Sequence, residues 1–265
     1  MASFFTVELS EPRFERDHLR LITVKSNALQ KRADISVFVP PVPFSELKGM
    51  VILLHGVYGS HWAWTLKGGV HHTALQLINE NKIPPMMLVM PSDGLFGDGS
   101  GYVPHLSEDY EKWIVEDVPK VVEEEIVGHP LPLFVTGLSM GGYGALRLGA
   151  KYSNLFRAFS GHSSITEFTQ LRHFVKDFEG LQASTQITDS VIDTILVHRH
   201  HLAPFQFDCG HSDVLIEANR ALHQALQTHQ ISHQYREFEG GHEWPYWEKH
   251  IADSLLFFSQ FCNTI

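Results

Sequence analysis

The hydrophobic residues of the first 40 positions follow a partly alternating pattern. Three stretches there combine this alternation with many β-branched and aromatic residues: Phe4 to Leu9, Leu19 to Lys25 and Asp34 to Val39. Alternation places apolar side chains on one face of a strand and polar side chains on the other. The stretches therefore predict antiparallel strands, which the proline-rich piece at 40–43 brings to an end.

Further along the chain the apolar residues form continuous runs. These runs are Met50 to Leu54, Met86 to Met90, Pro132 to Thr136 and Pro204 to Phe207. Such runs are typical of strands that are buried on both faces of a parallel sheet. Helical patterns separate them, and the predicted helices lie at about 69–81, 109–127, 140–152, 213–229 and 245–260. This alternation predicts an α/β fold with a mostly parallel sheet and helices on both of its faces.

The segment 162–203 interrupts this alternation. It is rich in Phe, His, Asp and Thr, and it is too long for a simple loop. We predict a small insertion over the sheet there. Because no linker sets the segment apart, we treat residues 1–265 as a single domain.

Composition narrows the class of protein. Hydrophobic residues make up 43% of the chain, which is enough for a large core and argues against disorder. The formal net charge of −10 would repel a phosphate backbone, so we expect no nucleic-acid partner. The N-terminus lacks the pattern of a signal peptide, and no stretch approaches about 18 consecutive apolar residues. We therefore expect a cytoplasmic protein without a membrane span.

The sequence Gly137-Leu138-Ser139-Met140-Gly141 carries the strongest chemical signal. It matches the G-x-S-x-G turn that exposes a nucleophilic serine between a strand and a helix, and the flanking residues predict that strand and that helix. Glycines leave room for a tight and strained turn. Ser139 is thus the candidate nucleophile, against the alternative of a glycine-rich turn with an incidental serine.

A serine hydroxyl needs an adjacent base, and in this arrangement an acid and then a histidine follow the serine along the chain. The predicted strand at 235–238 leads into a glycine-containing loop that ends at His242, just before the last helix, so His242 is the candidate base. Asp208 and Asp213 both follow the predicted strand at 204–207. We prefer Asp213, although it could instead cap the next helix, and Asp208 stays as the alternative.

An ester or amide carbonyl under attack develops a negative oxygen, which requires fixed donors. The backbone N–H of Met140 is one candidate donor, since it follows the serine directly. The loop after the run at 50–54 supplies the second candidate, the N–H of Val57, in the sequence His55-Gly56-Val57.

Four stretches together resemble the esterase D-like branch of the α/β-hydrolases, which includes feruloyl esterases, S-formylglutathione hydrolases and mycolyltransferases. These stretches lie at 51–64, 137–145, 208–213 and 237–247. The resemblance implies the α/β-hydrolase fold, the same serine, acid and histidine, and the same two backbone donors. It also suggests that Trp64 and Trp247 lie near the substrate pocket, with core packing as the alternative role for both.

One departure concerns the S-formylglutathione hydrolases. They usually carry a cysteine just after the His-Gly turn, where this chain has Tyr58-Gly59. The segment 91–102 and the histidine clusters at 71–72 and 198–201 lack the spacing of a calcium or zinc site. Two cysteines, Cys209 and Cys262, are too few for a disulfide framework and are predicted to be buried thiols. We expect neither a metal nor a cofactor.

The sequence therefore predicts a serine carboxylesterase that acts on a small-molecule ester through an acyl-enzyme intermediate. An acyltransferase of the same fold and a non-catalytic binding protein on a hydrolase scaffold are the alternatives. Small esterases of this kind often pair, which suggests a homodimer by analogy alone.

Overall fold

The computed structural model describes residues 4–185 and 188–262. Nine strands form one sheet within these ranges: β1 Phe4–Leu9, β2 Leu19–Ser26, β3 Arg32–Phe38, β4 Gly49–Leu54, β5 Met86–Pro91, β6 Leu133–Gly137, β7 Phe156–His162, β8 Phe205–Gly210 and β9 Gln234–Phe238. Their spatial order is β1-β2-β3-β5-β4-β6-β7-β8-β9.

The sheet divides into an antiparallel and a parallel part. β1, β2 and β3 pair antiparallel with one another, and β3 pairs antiparallel with β5. The pairs from β5 through β4, β6, β7 and β8 to β9 are parallel. The predicted N-terminal antiparallel strands and mostly parallel sheet are therefore confirmed.

Helices connect the parallel strands. They are α1 Ala63–Leu66, α2 Val70–Asn79, α3 Tyr110–Lys112, α4 Val118–Val122, α5 Met140–Lys151, α6 Phe178–Ser184, α7 Val191–His198, α8 Ile216–Thr228 and α9 Trp244–Ser259. A π-helical turn at Trp113–Asp117 joins α3 to α4, and a second one at Glu123–Val127 extends this helical stretch up to its C-cap, Gly128.

Strand β4 shows why the apolar runs are continuous. Met50, Ile52 and Leu54 belong to the core on one face of the sheet, and Val51 and Leu53 belong to the core on the other face. Because helices cover both faces, each position in this strand is buried. The helices predicted on both sides of the sheet are thus present.

The hydrophobic pattern of the sequence does not predict strand β7. Its residues include Ser160 and His162, which break the apolar run, yet both side chains are fully buried. The Ser160 hydroxyl donates to Thr136 Oγ1 at 2.7 Å, and His162 Nε2 lies 2.9 Å from Ser254 Oγ. Polar residues can occupy a buried strand here because neighbouring strands and α9 satisfy them.

The predicted insertion lies between β7 and β8. Apart from residues 186 and 187, which lie outside the described residues, it contains α6, α7 and a 3₁₀ helix at Phe168–His173. Phe168 and Phe178 are buried in the main core, so the insertion packs directly on the sheet and its helices.

Candidate active site

Ser139 lies in the turn between β6 and α5. Its backbone angles, φ 55° and ψ −118°, belong to a strained region that side-chain-bearing residues rarely adopt. A Cβ at Gly141 would collide with the Leu54 carbonyl oxygen, and a Cβ at Gly137 would collide with the Gly141 carbonyl oxygen. The two glycines therefore permit the close packing that projects the serine at the end of the strand.

His242 reaches Ser139 from the turn between β9 and α9. Its Nε2 lies 3.0 Å from Ser139 Oγ, while its Nδ1 lies 3.0 and 3.1 Å from the two carboxylate oxygens of Asp213. An ionised carboxylate only accepts hydrogen bonds, so Nδ1 carries the proton of the neutral ring and Nε2 presents its lone pair to the serine. The structure thus brings the three predicted side chains together in a hydrogen-bonded row.

The environment of Asp213 favours its charged form. Burial works to raise the pKa of this carboxyl, but hydrogen bonding and charge attraction from His242, together with the backbone N–H of Leu215 at 2.8 Å, outweigh it. The pKa of Asp213 consequently lies below its ordinary value, and the group is ionised at neutral pH. Helix α8 begins only at Ile216, so Asp213 is not its N-cap.

Asp208, the alternative acid, faces another histidine. Its Oδ1 accepts a hydrogen bond from the Tyr246 hydroxyl at 2.7 Å, and its Oδ2 lies 2.8 Å from His162 Nδ1. Asp208 and His162 are buried beneath the turn that carries Ser139. Of the two aspartates, only Asp213 contacts His242.

The loop after β4 runs close to Ser139. The last pair in the register of β4 with β6 joins Leu54 to Gly137, so the residues after the two strands leave the sheet side by side. A Cβ at Gly56 would lie 3.3 Å from Ser139 Cβ. Among the described residues, no hydrogen bond uses the backbone N–H of Val57 or Met140. These two N–H groups are the ones that the sequence analysis selected as donors.

A cavity of about 380 Å³ opens beside Ser139 and His242. Aromatic side chains dominate its wall, which includes Tyr58, Trp62, Phe174, Trp244 and Trp247. Besides Ser139, His242 and Tyr58, the ionisable side chains in the lining are those of Lys67 and Glu243. The cavity can therefore enclose an apolar group next to the serine.

The two tryptophans expected near the pocket differ in position. Trp247 lines the cavity, and its ring meets that of His242 edge-on with centroids 5.0 Å apart. Trp64 does not line it: its ring is buried, and its Nε1–H donates to the Leu54 carbonyl at 3.0 Å. Trp64 instead packs against Trp244, so core packing, the alternative role, describes this residue.

Some residues at the cavity were not selected from the sequence. Trp62 and Trp244 lie within the stretches that carried the family resemblance, so their position in those stretches was a usable signal. Phe174 comes from the insertion and stacks on His242 with centroids 5.5 Å apart. No sequence pattern placed it there, because its position depends on how the insertion folds back.

The histidine clusters and the two cysteines are the other groups in the sequence with possible chemistry. Among the residues that the structure describes, no three side chains of His, Cys, Asp or Glu gather in a way that could hold a metal ion. Both cysteines are free and buried. None of the described helices has the length and apolar character needed to cross a bilayer.

Comparison with known proteins identifies a family whose model matches most of this chain. The model of the esterase family described as "Putative esterase" matches residues 26–258. An acetyl esterase from Caldicellulosiruptor saccharolyticus is 26% identical in an alignment 239 residues long, and the match covers 82% of this chain and 85% of that protein.

Solved structures show which fold this is. A ferulic acid esterase superposes with a TM-score of 0.77 at 22% identity, covering 98% of this chain and 100% of the other. An S-formylglutathione hydrolase from Staphylococcus aureus superposes with a TM-score of 0.75 at 16% identity, covering 96% and 100%. The chain has the α/β-hydrolase fold, as predicted.

Proposed function

Because the chain belongs to this esterase family, we propose that it is a serine carboxylesterase in which Ser139 is the nucleophile, His242 the general base and Asp213 the residue that orients the base. One observation supports this most strongly: His242 Nε2 lies 3.0 Å from Ser139 Oγ while its Nδ1 faces an ionised carboxylate. Fold alone would not establish an activity, but this arrangement supplies the chemistry.

In the first half of the proposed reaction, the hydroxyl of Ser139 attacks the ester carbonyl carbon. His242 Nε2 accepts the hydroxyl proton as the new C–O bond forms, and Asp213 stabilises the resulting imidazolium. The tetrahedral intermediate then collapses. The bond to the alcohol oxygen breaks, the same Nε2 returns its proton to that oxygen, and an acyl-serine remains.

In the second half, water takes the place of the alcohol. His242 accepts a proton from the water as it attacks the acyl-serine carbonyl, and the proton passes to Ser139 Oγ when the acid leaves. In both halves the backbone N–H groups of Val57 and Met140 would donate to the carbonyl oxygen as it becomes negative. One such donor is worth roughly 3 kcal/mol in the barrier of related enzymes.

The proposal is tested by labelling and substitution. A fluorophosphonate probe should modify Ser139 in the wild-type protein, as peptide mass mapping would locate, and should not modify Ser139→Ala. The same substitution should lower kcat for aryl acetate hydrolysis by at least about 10⁴-fold. The acetyl esterase relative makes acetate esters the natural first substrates. Unchanged turnover in Ser139→Ala would rule the mechanism out.

A further inference from the structure

A second groove of about 370 Å³ adjoins the cavity that contains Ser139. Trp62 lines both spaces, so the groove and the cavity meet at this residue. One wall of the groove comes from the N-terminal part of the chain, including β2, and the other comes from α1 and the two residues before it. The groove thus borders the cavity of the reactive centre at Trp62 but is made of other residues.

Large apolar side chains line this groove and are unusually exposed. The exposed fractions are 69% for Phe14, 50% for Leu21, 72% for Leu66 and 39% for Trp62. Exposed apolar groups that gather in one concave patch mark a binding surface more often than isolated ones do. Four such residues in one groove beside a reactive centre therefore need an explanation.

The hydroxyl groups and the imidazole of the groove already have partners. The Ser36 hydroxyl and His61 Nδ1 lie 2.8 Å apart, the Thr65 hydroxyl donates to the Trp62 carbonyl at 2.8 Å, and the Ser10 hydroxyl donates to Glu15 at 2.7 Å. Burial lowers the pKa of His61 below its ordinary value, so this ring is neutral near pH 7. The apolar side chains therefore make up most of the surface that a ligand would contact between these satisfied groups.

Charges at the rim restrict the occupant further. Three carboxylates, those of Glu11, Glu15 and Asp17, line the groove together with a single guanidinium, that of Arg16. Glu15 is paired with Arg20 at 2.9 Å and Glu11 with Arg13 at 3.9 Å, so the rim is close to neutral and offers a charged ligand little attraction. The surface fits an uncharged aliphatic or aryl group.

We propose that this groove binds the distal apolar arm of the ester substrate, which passes over Trp62 while its carbonyl lies at Ser139. The inference rests on the proposed esterase function and adds a substrate class to it: esters with one extended, uncharged apolar chain. Such a chain could belong to the acid or to the alcohol, and both supply the same chemistry to the groove.

Two substrate series test this proposal. One lengthens the acid from p-nitrophenyl acetate to p-nitrophenyl octanoate, and the other lengthens the alcohol from ethyl acetate to octyl acetate. In at least one series kcat/KM should rise by roughly threefold for each methylene that enters the groove. The ratio of the longest to the shortest substrate is the quantity to compare, because the short ester serves as an internal reference in each variant.

The double variant Leu21→Ser, Leu66→Ser should reduce that ratio by at least tenfold. Both side chains are at least half exposed, so the substitutions should leave the fold intact, which a thermal denaturation curve would verify. Leu106→Ser is the matched control, since Leu106 is 71% exposed and lies outside the groove. Equal ratios in the double variant and the control would overturn the proposal, as would two series without any dependence on chain length.

Two other results separate neighbouring explanations. If light scattering shows a dimer that the double variant converts to a monomer while the ratio stays unchanged, the groove is an interface between copies and the proposal fails. If the wild-type protein hydrolyses no ester of either series, the proposed function fails instead. Nile red binding to the wild type and the double variant then tests the groove without turnover: equal affinities would overturn it.

Discussion

His55 fixes the direction of one proposed oxyanion donor. Its Nδ1 lies 2.7 Å from the Gly56 carbonyl oxygen, and its Nε2 lies 2.9 Å from the backbone N–H of Asp93. A carbonyl can only accept and an N–H can only donate, so Nδ1 must carry the proton. In a planar trans peptide the C=O of Gly56 and the N–H of Val57 point in opposite directions. Because His55 donates to the Gly56 carbonyl, the N–H of Val57 points away from the His55 ring.

We expect His55→Ala to lower kcat by about 10²-fold with a smaller change in KM, because a donor that acts mainly in the transition state would lose its orientation. His55→Asn is the control, since its side-chain amide can still donate to the Gly56 carbonyl and should restore part of the rate. Steady-state kinetics on an aryl acetate would measure both. If the alanine variant raises KM alone, His55 does not act through the donor.

Asp213→Asn should lower kcat by roughly 10⁴-fold, since an amide can donate to Nδ1 and so favours the wrong tautomer of His242. Asp208→Asn should be far milder, because that carboxyl contacts Tyr246 and His162 rather than His242. Initial rates and circular dichroism of both variants would check this. A larger loss of rate in folded Asp208→Asn would reverse the assignment.

The choice between these two aspartates also shows how far the sequence could predict the site. Ser139 and His242 follow from a local pattern and from chain order, but Asp208 lies near the end of β8 and Asp213 only three residues beyond that end. The turn after β8 determines which aspartate reaches His242. In this turn the Asp213 N–H donates to the Gly210 carbonyl at 3.0 Å, and the Ser212 N–H donates to the Gly240 carbonyl at 2.9 Å. These bonds swing Asp213 towards the loop that carries His242, and the second of them is a long-range contact that no local pattern reveals.

At the scale of elements, three loops meet over the cavity. The backbone N–H of Tyr58 donates to the Asp98 carbonyl at 2.9 Å, and the carboxylate of Asp98 accepts from the Lys176 N–H at 3.0 Å. The Tyr58 hydroxyl in turn donates to the Phe174 carbonyl. These bonds tie the loop after β4 and the loop after β5 to the insertion, and they hold Phe174 against His242.

Removing one of these bonds should loosen the insertion. Tyr58→Phe keeps the ring but loses the hydroxyl, and a hydrogen bond of this kind is worth about 1 kcal/mol, so we expect KM to rise about fivefold. Tyr235→Phe is the control, because its hydroxyl donates to Glu237 on β9 and not to the insertion. Steady-state kinetics on one ester would compare the two. Equal KM values would show that the hydroxyl of Tyr58 does not hold the cavity wall.

The elements themselves could be predicted to different degrees. β4, β5 and β6 are buried at every position, so their apolar runs stand out in the sequence. β7 carries Arg157, Ser160 and His162, and its strand conformation depends on pairing with β6 and β8. The sequence pattern likewise does not predict the helices of the insertion, since their apolar residues pack on distant parts of the core.

At the scale of the whole molecule, the fold class follows from the sequence, whereas the shape of the cavity does not. The cavity wall combines residues after β4, after β6, within the insertion, and before and within the first turn of α9. Each stretch is short and polar or aromatic, and its conformation is set by contacts with the others. The aromatic wall and the groove beyond Trp62 therefore needed the folded structure.

The two thiols give a measure of global stability at alkaline pH. Burial raises the pKa of Cys262 from its ordinary value of 9.0 to about 11, and burial also raises that of Cys209. The folded thiol keeps its proton between pH 9 and 11 while the unfolded thiol loses it, so the free energy of unfolding should fall as pH rises through this window, by up to about 1.4 kcal/mol per pH unit for each thiol. Urea unfolding followed by circular dichroism at several pH values would measure the slope. Cys262→Ala should make the slope of the unfolding free energy against pH shallower by the contribution of one thiol. The difference between wild type and variant thus separates the effect of Cys262 from that of the buried tyrosines. An identical slope in wild type and variant, or rapid reaction of both thiols with DTNB in the native protein, would contradict this account of the buried thiols.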